Sequence, residues 1–258
     1  MIPIRDSIPS THTPFVNYAM ILLCGMAFFA QVSSDDGGQR IIERYGMVPL
    51  RLTDPAAVAA IPIQEQIATP LGMIVQERMQ VLAPSAINPW MTILTCMFLH
   101  GGWMHFLGNM WFLFIFGDNV EDRFGHLGYL LLYLGTGIAA AVSHWATDMN
   151  SPIPTIGASG AIAGVMGAYA LLYPHARVMT VLPIFIFLHF FVLPAPVFLG
   201  IWFVFQMVSG VAAGSGSTGV AWWAHIGGFI AGALLALVVK WIRFGRTETT
   251  ETSRPHRF

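Results

Sequence analysis

The chain alternates long apolar runs with short polar connectors, and the runs are too evenly apolar for a soluble core. Six segments, near residues 15–32, 98–117, 127–147, 157–173, 195–212 and 221–243, approach the length that a hydrocarbon crossing needs. The first, Phe15 to Val32, is broken only by Asn17 and Gln31. It follows a polar stretch with one charge pair, Arg5 and Asp6, and no small-residue cleavage motif comes after it. That pattern predicts an anchored helix in place of a removed signal. Two stretches fit less well. Ile61 to Leu82 carries apolar residues at near-helical spacing among Gln64, Glu65, Gln66, Gln76, Glu77 and Arg78. It predicts an amphipathic helix at the interface, or a small helical lobe on the bundle. Val178 to Leu193 is interrupted by Pro183 and His189, stops at Pro194, and reads as an interfacial or irregular lead into the fifth span. The expected fold class is all-α: a polytopic membrane bundle of six transmembrane helices over 15–243. Its first loop (33–97) is long and extracytoplasmic, and its tails are 1–14 and 244–258.

Composition strengthens the membrane reading. Only 10% of the 258 residues are charged, against about 25% in soluble domains, and the missing charge is missing from the long runs. The net charge of −1 points to no nucleic-acid partner. Cys24 and Cys96 have no disulfide or metal-ligand spacing and read as buried apolar thiols. Lys240, Arg243, Arg246, Arg254 and Arg257 crowd the C-terminal end, so the positive-inside rule makes that tail cytoplasmic. An even number of crossings puts the N-terminus there too, with Arg123 and Arg177 in cytoplasmic loops. Arg40, Arg44, Arg51 and Arg78 fall in the first loop, which is long enough to translocate despite its charge.

Against this apolar background a few polar residues stand out. Ser159 lies in Gly157-Ala158-Ser159-Gly160, where the fourth span begins. A helix N-terminus presents unpaired N–H groups and the positive end of the dipole, which favour an alkoxide or oxyanion. The flanking Gly157 and Gly160 allow a substrate close to the backbone. A plain helix cap beside small packing residues would use the same letters. His225 lies at the start of the sixth span, and an ionisable residue there is a functional candidate. Imidazole suits a general base at neutral pH. Gly160-x3-Gly164 and Gly228-x3-Gly232 would let the fourth and sixth spans approach closely. His105 and Asn109, four apart, share a helix face and could donate to an oxyanion. His100 precedes them at the loop-to-helix junction. Polar glue between helices is the plainer use of that cluster.

Other chemistries fare poorly. A zinc site on His100, His105 and His225 would lack an adjoining carboxylate base. An aspartyl protease needs two opposed membrane carboxylates, whereas Asp118 and Asp148 fall on different sides of the predicted bundle. A solute transporter should carry an internal repeat, and the halves show none that convinces.

Taken in order, His100-x4-His105-x3-Asn109, Gly157-x-Ser159-Gly160 and His225-x2-Gly228-x3-Gly232 resemble the rhomboid family of intramembrane serine proteases. The resemblance covers roughly residues 90–240, and Met97 to Asp122 resembles prokaryotic members as a block. It implies a six-helix bundle in the plasma (inner) membrane, both termini cytoplasmic, with a water-filled cavity open to the outside and a lateral substrate route. It implies a Ser159–His225 dyad without an acidic third member. His105, Asn109 and the Ser159 N–H would form the oxyanion hole, with His100, Gly157 and Gly160 in support. Neither metal nor cofactor is implied. The implied partners are single-span membrane protein substrates, cut near the extracytoplasmic face, and the lipid bilayer. An inactive adaptor that binds client helices is the other use of this fold. Two positions depart from the family pattern. Ala163 stands where many relatives carry a tyrosine that stacks on the histidine, and Trp90-Met91 stands where they often carry Trp-Arg.

Overall fold

The computed structural model describes residues 1–69, 72–185, 187–213 and 220–251. The distal C-terminal tail, with Arg254 and Arg257, lies outside them. The elements run β1 (Ile2–Asp6), α1 (Phe15–Val32), α2 (Gln39–Tyr45), α3 (Pro49–Thr53), β2 (Ala60–Thr69), β3 (Gly72–Val81), α4 (Thr92–Thr95), α5 (Trp103–Thr147), α6 (Ser159–Leu172), β4 (Arg177–Ile184), β5 (Phe187–Pro194), α7 (Ala195–Ala213) and α8 (Trp222–Glu251). Among the described residues, α1, α5, α7 and α8 are long and apolar enough to cross a membrane, and α6 is shorter at 14 residues. The protein is a membrane-spanning, predominantly helical molecule.

The 45-residue α5 is two arms joined at Gly125, whose φ of 74° and ψ of 166° only glycine adopts readily. The arms correspond to the segments read as 98–117 and 127–147. The first arm starts later than its apolar run because His100-Gly101-Gly102 forms a loop ahead of Trp103.

Helix α6 sits at the centre. Every residue from Gly160 to Tyr169 is buried, as befits a helix apolar on all sides. Its neighbours approach through glycines. A methyl group on Gly228 or Gly232 of α8 would overlap the carbonyl oxygens of Gly160 or Gly164. The α6 glycines themselves face the second arm of α5, Gly160 against Ala140 and Gly164 against Thr136. The small-residue seam anticipated between these two spans therefore forms, with the α8 glycines lying on α6 backbone.

The two polar breaks in α1 both make contacts across helices. Asn17 donates to Leu113 O at 3.1 Å and accepts from Tyr129 Oη at 2.8 Å. Gln31 exchanges both amide hydrogen bonds with the backbone of His100, each at 3.0 Å. The buried Glu121 carboxylate accepts the N–H groups of Val16 and Asn17 at the start of α1, where a helix dipole favours negative charge. Cys24 and Cys96 are buried free thiols.

Three expectations need correcting. The fold is predominantly helical but not all-α, because five strands are present among the described residues. Residues 61–82 form no interfacial helix. They build an antiparallel hairpin of ten-residue strands, from Ala60 opposite Val81 to Thr69 opposite Gly72. Ile61, Ile63 and Ile67 share one face at period two, and Pro62 would break a helix but is tolerated on an unpaired strand edge. Among the described residues, the helical parts of the first loop are the short α2, α3 and α4 and the 3-10 turns Pro89–Met91 and Cys96–Phe98. There the buried Arg51 donates to Glu43 O at 2.8 Å and Ala83 O at 2.7 Å, and the Glu43 carboxylate accepts Ala83 N–H. Likewise the 178–193 segment is the β4–β5 hairpin, and β1 from the N-terminal tail adds to it as a third antiparallel strand, order β1-β4-β5. β-branched Val178, Thr180 and Val181 supply its buried positions.

Candidate active site

Ser159 is the first residue of α6 and His225 lies in the first turn of α8. The glycine seam brings these two helix starts together. His225 Nε2 lies 2.8 Å from Ser159 Oγ, a hydrogen bond between the residues that sequence spacing had singled out.

Gly157 shapes the approach to the serine. Its φ of 127° is strained for any side chain, and its N–H donates to Cys96 O at 2.9 Å. A Cβ there would lie 2.8 Å from His105 Nε2 and 3.5 Å from Ser159 Oγ. One small volume beside Gly157 is thus flanked by both atoms, and only glycine leaves it open.

His105 and Asn109 project from one face of the first arm of α5 into the same cavity, of about 560 Å³, that Ser159 and His225 line. The Gly101 N–H donates to His105 Nδ1 at 3.2 Å. With Nδ1 accepting, a neutral ring carries its proton on Nε2, the nitrogen that faces Gly157 and Ser159. Asn109 is buried, and its Nδ2 makes no hydrogen bond among the described residues. A buried amide donor is costly to leave unpaired, by about 1–3 kcal/mol. Here it is an available donor at the cavity wall. The start of α6 adds first-turn N–H groups and the positive end of its dipole. The site therefore joins a hydroxyl, an imidazole acceptor and several aimed N–H donors.

His100 does not touch the serine. It is 1% exposed and stands edge-on to His105, with ring centroids 5.3 Å apart, and also edge-on to the stacked pair Phe28 and Phe106. Its ring packs against that of His105. Gly160 lies against Ala140 of α5, with Gly228 of α8 on its carbonyl oxygen.

One residue escaped the sequence reading. Gln206 of α7 is 4% exposed, and its Oε1 lies 2.7 Å from His225 Nδ1. The rings of Trp202 and Trp222 flank the imidazole at 5.8 and 6.3 Å. These groups occupy the surroundings of a histidine whose expected stacking tyrosine is the small, buried Ala163. A signal was present: Trp202 and Gln206 are four apart on one face of an apolar helix, where a buried amide requires a partner.

Comparison with known proteins gives the same direction. A family model for the rhomboid domain matches residues 88–242. "Rhomboid protein 1, mitochondrial" of Saccharomyces cerevisiae is 28% identical over 167 residues, 61% of this chain and 44% of that protein. "Rhomboid protease GluP" of Bacillus subtilis is 41% identical over 88 residues, 34% of this chain and 16% of that protein. "Putative rhomboid protease YdcA" of the same organism is 34% identical over 84 residues, 33% of this chain and 42% of that protein. The chain spans less than half the length of each of these relatives. With the family domain matched over more than half of its residues, the chain belongs to the rhomboid family of membrane proteins.

Proposed function

We propose that the protein is an intramembrane serine endopeptidase that cuts transmembrane segments of single-span membrane proteins near the extracytoplasmic face. The observation that carries this reading is the 2.8 Å contact between Ser159 Oγ and His225 Nε2, facing a cavity lined by His105 and Asn109. His225 Nε2 takes the Ser159 proton as Oγ attacks the scissile carbonyl carbon. The carbonyl oxygen becomes an oxyanion that accepts from His105 Nε2–H, Asn109 Nδ2–H and the Ser159 N–H. The carbon–nitrogen bond then breaks, and the imidazolium returns its proton to the leaving amine. Water, deprotonated by His225, hydrolyses the acyl-enzyme and restores the hydroxyl.

In the membrane, the two arms of α5 count as separate crossings. With α1, α6, α7 and α8 they make six, both termini cytoplasmic, in the inner membrane of a bacterial-type cell. The basic residues near the C-terminus support that orientation. The β2–β3 hairpin and the α2–α3 lobe then stand outside, with β1, β4 and β5 at the cytoplasmic end.

The test is cleavage of a single-span substrate reconstituted with the protein in liposomes. Wild type produces a cut fragment and Ser159→Ala produces none while remaining folded. Client co-purification without any cut product would mark an adaptor instead.

A further inference from the structure

We propose that Gln206 is the positioning residue of the dyad: its amide oxygen accepts the Nδ1 proton of His225 and so holds the ring in the tautomer whose Nε2 takes the Ser159 proton. This inference rests on reading Ser159 and His225 as nucleophile and base.

The geometry is a three-member line, Gln206 Oε1 to His225 Nδ1 at 2.7 Å and His225 Nε2 to Ser159 Oγ at 2.8 Å. An amide oxygen accepts only, so Nδ1 must carry the proton. The lone pair of the neutral imidazole then sits on Nε2, where the serine hydroxyl can donate. The opposite tautomer would leave two acceptors face to face at Gln206 and a donor pointed at the hydroxyl, with no route for the serine proton.

Burial makes the bond hard to exchange. Gln206 is 4% exposed in a helix whose outward side chains are apolar. An amide oxygen there without a donor would cost several times the thermal energy. Trp202, one turn earlier on the same face, lies at a 40° tilt to the imidazole, and Trp222 meets it edge-on at 90°. The rings limit rotation and the amide sets its phase. Because Gln206 is neutral, it fixes orientation without placing a counter-charge beside the imidazolium, unlike the carboxylate of a Ser-His-Asp triad.

The base is thereby oriented from α7 and the nucleophile from α6. A helix that carries neither reacting group sets whether the two are aligned.

The experiment compares wild type, Gln206→Met, Gln206→Glu and Ser159→Ala on one single-span substrate in liposomes. Gln206→Met keeps the size and removes the acceptor. Its kcat should fall on the order of 10–100-fold with KM nearly unchanged, as expected when a reacting group is misplaced by about 1 Å. Gln206→Glu restores an acceptor and should recover most of that turnover. Its added carboxylate should also move the acidic limb of the kcat–pH profile upward by about one unit. A Gln206→Met protein with wild-type kcat, or a Gln206→Glu profile identical to wild type, overturns the assignment. Nitrogen-15 spectra of the histidine-labelled wild-type protein read the tautomer directly, the His225 signal being the one absent from His225→Ala. An Nδ1–H ring is expected, and an Nε2–H ring overturns the proposal whatever the variants do. If wild type and Ser159→Ala cut equally, the protease reading fails. If only Ser159→Ala is dead and Gln206→Met is normal, the positioning role alone fails.

Discussion

Helices α6 and α7 both reach the site, but they are held in opposite ways. Around α6 the packing is backbone to backbone: Gly228 and Gly232 lie on its carbonyls, Gly167 faces Phe229 O, and ten consecutive residues are buried. Around α7 the packing is one-sided. Phe198, Leu199 and Gln206 are buried, while Val197, Ile201, Val204, Phe205 and Val208 are exposed. Ser159 therefore stands on a platform with no room to move, whereas His225 is bonded by a helix whose outer face is apolar and exposed. In the proposed mechanism the serine is fixed by sterics, and its alignment with His225 depends on one hydrogen bond from α7.

Substitutions separate the two regimes. The largest effect is expected from Gly232→Val, which drives side-chain atoms into Gly164 backbone. Overpacking of this kind costs about 1–3 kcal/mol or more, and here backbone must move. Thermal unfolding in detergent should shift sharply down and activity should vanish. Gly200→Val on α7 is the matching control, since a Cβ there meets nothing within 4 Å. It should leave the unfolding temperature close to wild type. Equal losses in the two variants would break the contrast.

His105→Ala and Asn109→Ala come next. Each should lower kcat by about 10²–10³, with little change in KM or in thermal stability, because losing an oxyanion donor costs about 2.7–4 kcal/mol of barrier. Unchanged turnover in both would remove these side chains from that role.

The smallest effect is expected far from both helices. The exposed Asp36 accepts the N–H groups of Arg40 and Gly38 at 2.9 and 3.1 Å, ahead of α2. These bonds, the Arg40 N–H first, hold its carboxyl below the usual carboxylate range. A depressed carboxyl contributes stability at neutral pH that is lost as pH falls through its folded-state value. Asp36→Ala should speed amide exchange in α2 at neutral pH and leave the bundle's unfolding temperature and cleavage unchanged. The difference in exchange should fade under acid.

The apolar spans were legible because hydrocarbon demands long unbroken runs. The predicted 15–32 segment coincides with α1 residue for residue. Ser159, His225, His105 and Asn109, which the fold brings to one cavity, stood out because polar residues are rare enough in such runs to be noticed singly. The two hairpins were not. Ile61 to Leu82 contains both a near-helical spacing and an alternation, and strand pairing decides between them through partners as distant as Val81 from Ala60. Gln206 was hidden for a related reason. Its meaning depends on His225, nineteen residues onward, and on the way α7 lies beside α8. The histidine's missing stacking partner at position 163 was visible in the sequence, but what replaced it required the fold.

In the proposed mechanism His225 activates Ser159 as a nucleophile. The most direct measurement is covalent labelling by a serine-directed fluorophosphonate in native membranes, with the modified residue mapped by mass spectrometry. Labelling is expected at Ser159 in wild type, with none in Ser159→Ala and strongly reduced labelling in His225→Ala. Equal labelling of the folded Ser159→Ala protein, or none of folded wild type, would contradict that mechanism.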